Sequence, residues 1–276
     1  MKKFIKVLLL MILLSTLVAC GSNPTEKTNL LAEVKTNGVL KVAVSPDFAP
    51  MEFVDASKSE QEQYVGFDIK LAQYIAAELG VELYIDAMDF SSCQAAVSMG
   101  TADISISGYA YTEDRAENYT LSNSYYADDN NQQGILILAD HADELQTAED
   151  FSGKTISAQN GSLQWNLLTD QLPEATANPI VDLNTAVLEV INGKVDGLCV
   201  AVTNGESYIA NYPSLTLSGF QFNVTSDGNV ILIPKGETEL ADAINTILAK
   251  AEAAGLYQQW YQEAVDLAAS LGENVD

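Results

Sequence analysis

The sequence predicts an α/β fold built as two lobes, on three observations. Short apolar runs alternate with segments of helical period from Val39 to Ser107, and strand, helix, strand, helix, strand in that order requires parallel pairing with crossover helices. The second half of the chain repeats the alternation. One local echo joins the halves: SMGTADISIS (98–107) and INGKVDGLCV (191–200) each run helix end, glycine, two residues, aspartate or its neighbour, strand.

The elements follow in order. The run VLKVAV (39–44) reads as a strand. Asp68 is placed to cap a helix whose Ile69, Ala72, Ile75, Ala76 and Leu79 share one face, with Gly80 as its stop. A strand is expected at 81–85, a helix at 92–99 and a strand at 102–107. In the second half 154–158 and 180–181 read as strands, 185–191 as a helix and 198–202 as a strand; the end of the chain is helical from Glu239 to about Leu271, broken at Gly255. In open parallel sheets ligands collect beyond the carboxyl ends of the strands. Here those ends are Ser107-Gly108-Tyr109 and Val200-Ala201-Val202, and a cleft between two lobes would set them face to face.

Ahead of the fold, Lys2, Lys3 and Lys6 precede an apolar run at 7–18, the length of a signal-peptide core and too short to span a bilayer. LVAC (17–20) resembles the lipobox of bacterial lipoproteins, which implies a lipidated Cys20 as the mature N terminus, tethered to a membrane it does not cross. Residues 21–29 (GSNPTEKTN) are short and polar and read as a leash.

The chain carries 38 Asp and Glu against 13 Lys and Arg, a formal charge of −25, which loss of the three leader lysines takes to about −28. That balance argues against nucleic acid and against attachment to anionic lipid through a basic patch. Cys93 and Cys199, far apart and in apolar settings, read as reduced core thiols. No GxSxG, metal-spaced His/Cys cluster or phosphate loop occurs, and the only histidine, His141, lies in the acidic ADHADEL as part of a solvated loop. Neither a catalytic centre nor a metal or cofactor is expected.

Arg115 is the only arginine in 276 residues. It follows the first strand end by a few residues, at the mouth of the expected cleft, and its planar fork suits a carboxylate in bidentate geometry. A surface pairing with Glu113 or Glu117 is the plainer alternative on composition alone.

VGFDIKLAQYIAAELGV (65–81), MGTADISISGYAYTEDRAENYTLSNSYY (99–126), GKTISAQNGS (153–162), NGKVDGL (192–198) and AAGLYQQWYQEA (253–264) occur in that order. Together they resemble the amino-acid-binding proteins of bacterial ABC importers, the family 3 extracellular solute-binding proteins, over about Leu40 to Ala264. The resemblance implies a periplasmic-binding-protein type II fold, with two α/β lobes closing on a ligand about two hinge strands near 127–134 and 220–228. It divides the chain into a signal peptide (1–19), a lipidated N terminus and linker (20–29), a first lobe (30–129 plus 225–276) and a second lobe (130–224).

By the same resemblance Arg115 clamps the ligand's α-carboxylate. Phe48 and Phe90 match aromatic walls, and Gly108 sits where a backbone carbonyl or small side chain meets the ammonium. Ser162 and the amide of Leu163 match the second-lobe side of the carboxylate site, where donors at a helix start suit an anion. Three positions depart from the family. Ala110 and Leu163 lack hydroxyls often found there, and Ala201 stands where an aspartate usually pairs with the α-ammonium. An ammonium buried without a carboxylate forfeits much of its hydration energy. Either another acid reaches in, with Glu206, Asp47 and Asp89 as candidates, or the ligand lacks a free α-ammonium. Gln94 and Asn204 are further candidates for the pocket wall.

The expected function is the extracytoplasmic substrate-binding component of an ABC importer for amino acids or a related small carboxylate. Its partners are the carboxylate and a membrane permease; it meets the membrane through its lipid alone, and works as a monomer without a cofactor. A dehydratase acting on cyclic carboxylates would need a positioned acid or base. A ligand-sensing surface lipoprotein without a permease is the other alternative.

Overall fold

The computed structural model describes residues 29–127, 132–224 and 228–272. The expected leader, Cys20, residues 21–28 of the linker and parts of both hinge segments (128–131 and 225–227) lie outside the described residues. Among the described residues no helix is long and apolar enough to cross a membrane.

The first described helix, α1 (Leu30–Asn37), was not expected from the sequence; Asn29 caps it by accepting from the amide of Ala32 at 2.9 Å. Strand β1 (Val39–Val44) agrees with the prediction. β2 (Phe53–Val54) and β3 (Tyr64–Val65) form a small antiparallel ribbon. Helix α2 (Phe67–Leu79) buries Ile69, Ala72, Ile75 and Ala76 as the spacing predicts, and Gly80 ends it in the left-handed conformation.

The start of α2 corrects the sequence expectation. Gly66 holds the cap position, while Asp68 lies inside the first turn and is fully buried. The cause is a close backbone approach: φ at Gly66 is 121°, and an added Cβ would lie 2.3 Å from the Met51 carbonyl oxygen. Gly66→Ala is therefore expected to destabilise the protein by about 1–3 kcal/mol, read from a urea melt; a melt identical to wild type would mean that the two segments part freely.

There follow β4 (Glu82–Ala87), α3 (Phe90–Met99), β5 (Ile104–Ser105), α4 (Glu113–Asn118) and β6 (Thr120–Leu121). β5 is shorter than the predicted 102–107. Ile106 N–H still donates to Ala43 O at 3.3 Å, but Gly108 (φ 56°) then turns the chain out of the sheet. α3 begins two residues earlier than predicted because Asp89 caps it, accepting from the Ser92 amide at 3.0 Å.

The second half builds β7 (Gln133–Leu138), β8 (Thr155–Gln159), α5 (Leu163–Gln171), β9 (Thr176–Ile180), α6 (Leu183–Ile191), β10 (Gly197–Ala201), α7 (Val202–Asn211) and β11 (Leu215–Gln221). The predicted strand at 180–181 is only the end of β9, which tolerates Pro179 because it is an edge strand. The chain then returns through β12 (Leu232–Ile233) to α8 (Thr238–Ala253) and α9 (Leu256–Leu271), broken at Gly255 as predicted.

The strands form two five-stranded sheets, ordered β4-β1-β5-β12-β6 and β11-β7-β10-β8-β9. Each is mixed rather than wholly parallel. β1 pairs in parallel with β4 and β5, and β8 with β9 and β10, whereas β12 and β7 run antiparallel to their neighbours. β12 belongs to the first sheet although it follows the whole second sheet in sequence, so the chain crosses between lobes twice. Tyr126 and Asn229 bridge antiparallel where the two crossings run side by side. The first core gathers Leu40, Phe67, Ile75, Ile104 and Ile244. In the second lobe the alternation of β7 sends Ile135 and Ile137 to one face of the sheet and Leu136 to the other.

Candidate functional site

The strand ends of the two sheets face one cleft. All eight positions expected from the sequence line it: Phe48, Phe90, Gly108, Ala110 and Arg115 from the first lobe, Ser162, Leu163 and Ala201 from the second. Asp47 and Asn204 line it as well; Gln94, Asp89 and Glu206 do not.

Arg115 is the third residue of α4, held there by the Thr112 hydroxyl, which accepts from its amide at 3.2 Å. Its side chain is buried, 4% exposed. Nη1 donates to Ala110 O at 2.6 Å, and Nη2 donates across the cleft to Gly161 O at 2.9 Å. The guanidinium lies over the rings of Tyr109 (5.2 Å) and Phe90 (5.8 Å). Among the described residues no carboxylate lies within 4.0 Å of it, so neither Glu113 nor Glu117 is its partner. Burial pulls its pKa below the ordinary value, yet guanidinium remains charged. Two of its five donors serve carbonyls, which leaves donor capacity for an anion.

Phe90 opens α3 and packs on Tyr109 with centroids 4.8 Å apart. Phe48 begins a tight loop in which its amide donates to Glu52 O at 2.9 Å, and its ring presses on Gly108 so closely that an added Cβ there would meet it at 3.0 Å. Opposite, Ser162 caps α5, its hydroxyl accepting from the Trp165 amide at 3.0 Å, so the helix N-terminus faces the cleft. Ala201 ends β10 and holds the cap position of α7, with no side-chain cap.

Five hydrogen bonds among the described residues tie the lobes together over the cleft. Asp47 Oδ2 accepts from Gln159 Nε2 at 3.0 Å and from the Leu183 amide at 3.1 Å. Asn204 Nδ2 donates to Ala49 O at 3.0 Å, and Gln94 Nε2 and Arg115 Nη2 both donate to Gly161 O. The arrangement is a closed one, able to shield a small polar molecule from water.

Of the acids weighed from the sequence, Glu206 is exposed and Asp89 is occupied in capping α3, where the Ser91 hydroxyl also donates to it at 2.7 Å. Asp47 is at the cleft. Two further acids were not singled out for the site. Glu52 lines the cleft at 1% exposure, its Oε1 accepting from Ser107 Oγ at 2.7 Å. Beside it, Asp68 Oδ2 accepts from the Gly108 amide at 2.8 Å and from Tyr125 OH at 2.9 Å. With both ionised, Glu52 Oε2 and Asp68 Oδ1 would each be buried without a donor. A proton on Glu52 supplies a donor beside the Asp68 charge. Burial, then the charge of Asp68, pushes Glu52 well above the usual carboxylate range. Burial raises Asp68 to about 6 against the pull of Gly108 and Tyr125.

His141 is exposed and sits off the cleft, its Nδ1 3.1 Å from Glu144 Oε2. Cys93 and Cys199 are free and buried, and burial pushes both thiols up. Among the described residues no group of three His, Cys, Asp or Glu side chains could hold a metal ion.

Burial also raises Asp47, from 3.8 to about 6, with the Asp182 charge adding to it. The folded protein thus holds this proton more tightly than the unfolded chain does. Its stabilising contribution is full below pH 3.8 and is lost as pH rises to about 6; a shift of this size is on the order of 3 kcal/mol. The melting temperature should rise on going from about pH 7 to about pH 5.5, and Asp47→Asn should remove part of that rise. A melting temperature that falls over this interval would contradict the assignment.

The family model for bacterial extracellular solute-binding proteins, family 3, matches residues 40–265. The chain is 29% identical over 258 residues to the probable histidine-binding protein of Campylobacter jejuni, covering 93% of this chain and 96% of that one. It is 27% identical over 273 residues to the arginine-binding extracellular protein ArtP of Bacillus subtilis, covering 95% and 98%. An amino acid ABC transporter substrate-binding protein from Streptococcus pneumoniae, solved bound to L-arginine, matches the fold with a TM-score of 0.77 at 28% identity, covering 86% of this chain and 98% of that one.

Proposed function

Because the chain belongs to the bacterial extracellular solute-binding proteins of family 3, we propose that it is the substrate-binding component of an ABC importer for an amino acid. The observation that carries this reading is the single arginine, buried at an interlobe cleft with no carboxylate within 4.0 Å among the described residues. A ligand carboxylate supplies the missing charge. Phe48 and Phe90 flank the rest of the ligand, the N-terminus of α5 at Ser162 and Leu163 adds backbone donors, and Gly108, Ala110 and Ala201 leave room for it. The lobes divide at 129/130 and 224/225 and close about the crossings. Arginine and histidine, named for the relatives, are the first ligands to try.

The protein is held outside the cytoplasm by lipid on Cys20, after removal of residues 1–19, and delivers its ligand to a permease as a monomer. His141, exposed and off the cleft, lends nothing to a dehydratase reading.

Uptake of radiolabelled amino acids by cells with and without the gene tests the function. Loss of uptake for at least one amino acid, restored by the wild-type gene, is expected; unchanged uptake of all of them would contradict it. Cys20→Ala should move the protein from the membrane fraction to the medium or periplasm, and a variant that stays with the membrane would exclude the lipid anchor.

A further inference from the structure

An amino acid brings an ammonium next to its carboxylate, and a buried ammonium needs a negative partner. The second-lobe wall offers none at Ala201, which stands at the uncapped start of α7, the positive end of a helix dipole. Among the described residues two carboxyl groups line the cleft, Asp47 and Glu52. Asp47 already accepts from Ser45, Gln159 and the Leu183 amide. Glu52, by contrast, accepts only from Ser107 Oγ among the described residues, which leaves it acceptor capacity.

One turn joins Glu52 to the arginine. Ser107 Oγ donates to Glu52, Gly108 N–H donates to Asp68, and Ala110 O receives Arg115 Nη1. Gly108 and Ala110 are two residues apart, at most about 7 Å along an extended chain, a spacing that suits the two charged groups on one α-carbon. Glu52 Oε1 lies close on the side chain face of Gly108: an added Cβ there would lie 3.9 Å from it, beside the Phe48 ring.

We infer that the Glu52–Asp68 carboxyl pair, reached at the Ser107–Ala110 turn, is the counter-charge for the ligand's α-ammonium. This rests on the amino-acid reading of the cleft. At neutral pH the pair holds one proton and one negative charge. As the ammonium approaches Glu52, the shared proton passes from Glu52 to Asp68, so that one O–H bond breaks, another forms, and the charge settles on the carboxylate facing the ligand. No proton leaves the protein.

Below about pH 6 Asp68 takes up a second proton and the pair becomes neutral. Tyr109, Tyr125 and Cys93, which face the pair, are all raised and stay neutral through this range; Ser107 does not titrate, and Arg115 stays charged. Asp47 titrates in the same window, but its contacts are between the lobes, so its protonation affects every ligand alike.

The test is calorimetric titration of the purified protein with the tightest-binding of the twenty standard amino acids and with its amine-free analogue, which for L-arginine is 5-guanidinopentanoic acid. In wild type, affinity for the amino acid should fall relative to that for the amine-free analogue as pH drops through about 6, because the analogue carries only the Asp47 effect that both probes share. The double variant Glu52→Gln, Asp68→Asn should bind the amino acid about 30-fold or more weakly and the analogue as wild type does. Matching pH profiles for the two probes, or a double variant that weakens both or neither, overturns the inference. Arg115→Ala is the control: if it abolishes binding of both probes while the pair affects neither, the amino-acid reading stands and this inference fails. If no amino acid binds wild type, both fall.

Discussion

Arg115→Ala is expected to weaken binding of the amino acid by about 2–5 kcal/mol, the cost of removing one partner of a buried charged pair. The guanidinium is 4% exposed and has no acid partner among the described residues, so the ligand carboxylate would lose its only strong counter-ion. The same change removes the donors to Ala110 O and Gly161 O. The second of these spans the lobes, so closure weakens together with recognition. Arg115→Lys should recover little, because an ammonium offers a point charge in place of a planar fork. Calorimetry on both variants checks this, and wild-type affinity in Arg115→Ala would remove the residue from the site.

Phe67→Ala should cost about 3–5 kcal/mol of folding stability, the range for deleting a buried aromatic side chain. Phe67 is fully buried, with its ring 5.7–6.0 Å from those of Tyr125, Tyr126, Tyr257 and Tyr261. The cluster ties α2 to α9 and to the first crossing between lobes. Tyr126 and Tyr261 also line the cleft, so the loss of packing reaches the floor of the site. Urea unfolding measures the effect, and a loss below about 1 kcal/mol would mean that the tyrosines refill the space.

The arginine was legible because its rarity and its place after a strand end are both local facts. So were the apolar face of α2 and the break at Gly255. The carboxyl pair was not. Asp68 stands where local rules expect a helix cap, and only the approach of Gly66 to the Met51 carbonyl, a contact between segments, moves the cap and carries Asp68 into the core. Glu52 did leave a signal, an acid set between Met51 and Phe53 in an otherwise apolar stretch. Strands β7 and β11 and helix α7 draw their definition from packing in the second lobe. The α7 sequence VTNGESYIAN holds Gly, Thr and Asn, which have weak helix preference. The ties of Asp47 to Gln159 and Leu183 span more than a hundred residues and have no local trace.

The function proposed above requires that the cleft hold a free amino acid by its carboxylate on Arg115. Thermal unfolding of the purified protein, stripped of carried-over ligand by unfolding and refolding, tests it most directly when run against the twenty amino acids and matched N-blocked and amine-free carboxylates. At about 100 times its dissociation constant a true ligand adds roughly 2.7 kcal/mol. Such a gain is expected for at least one free amino acid, and it should disappear in Arg115→Ala. No gain with any free amino acid, or the same gain in Arg115→Ala, would contradict it.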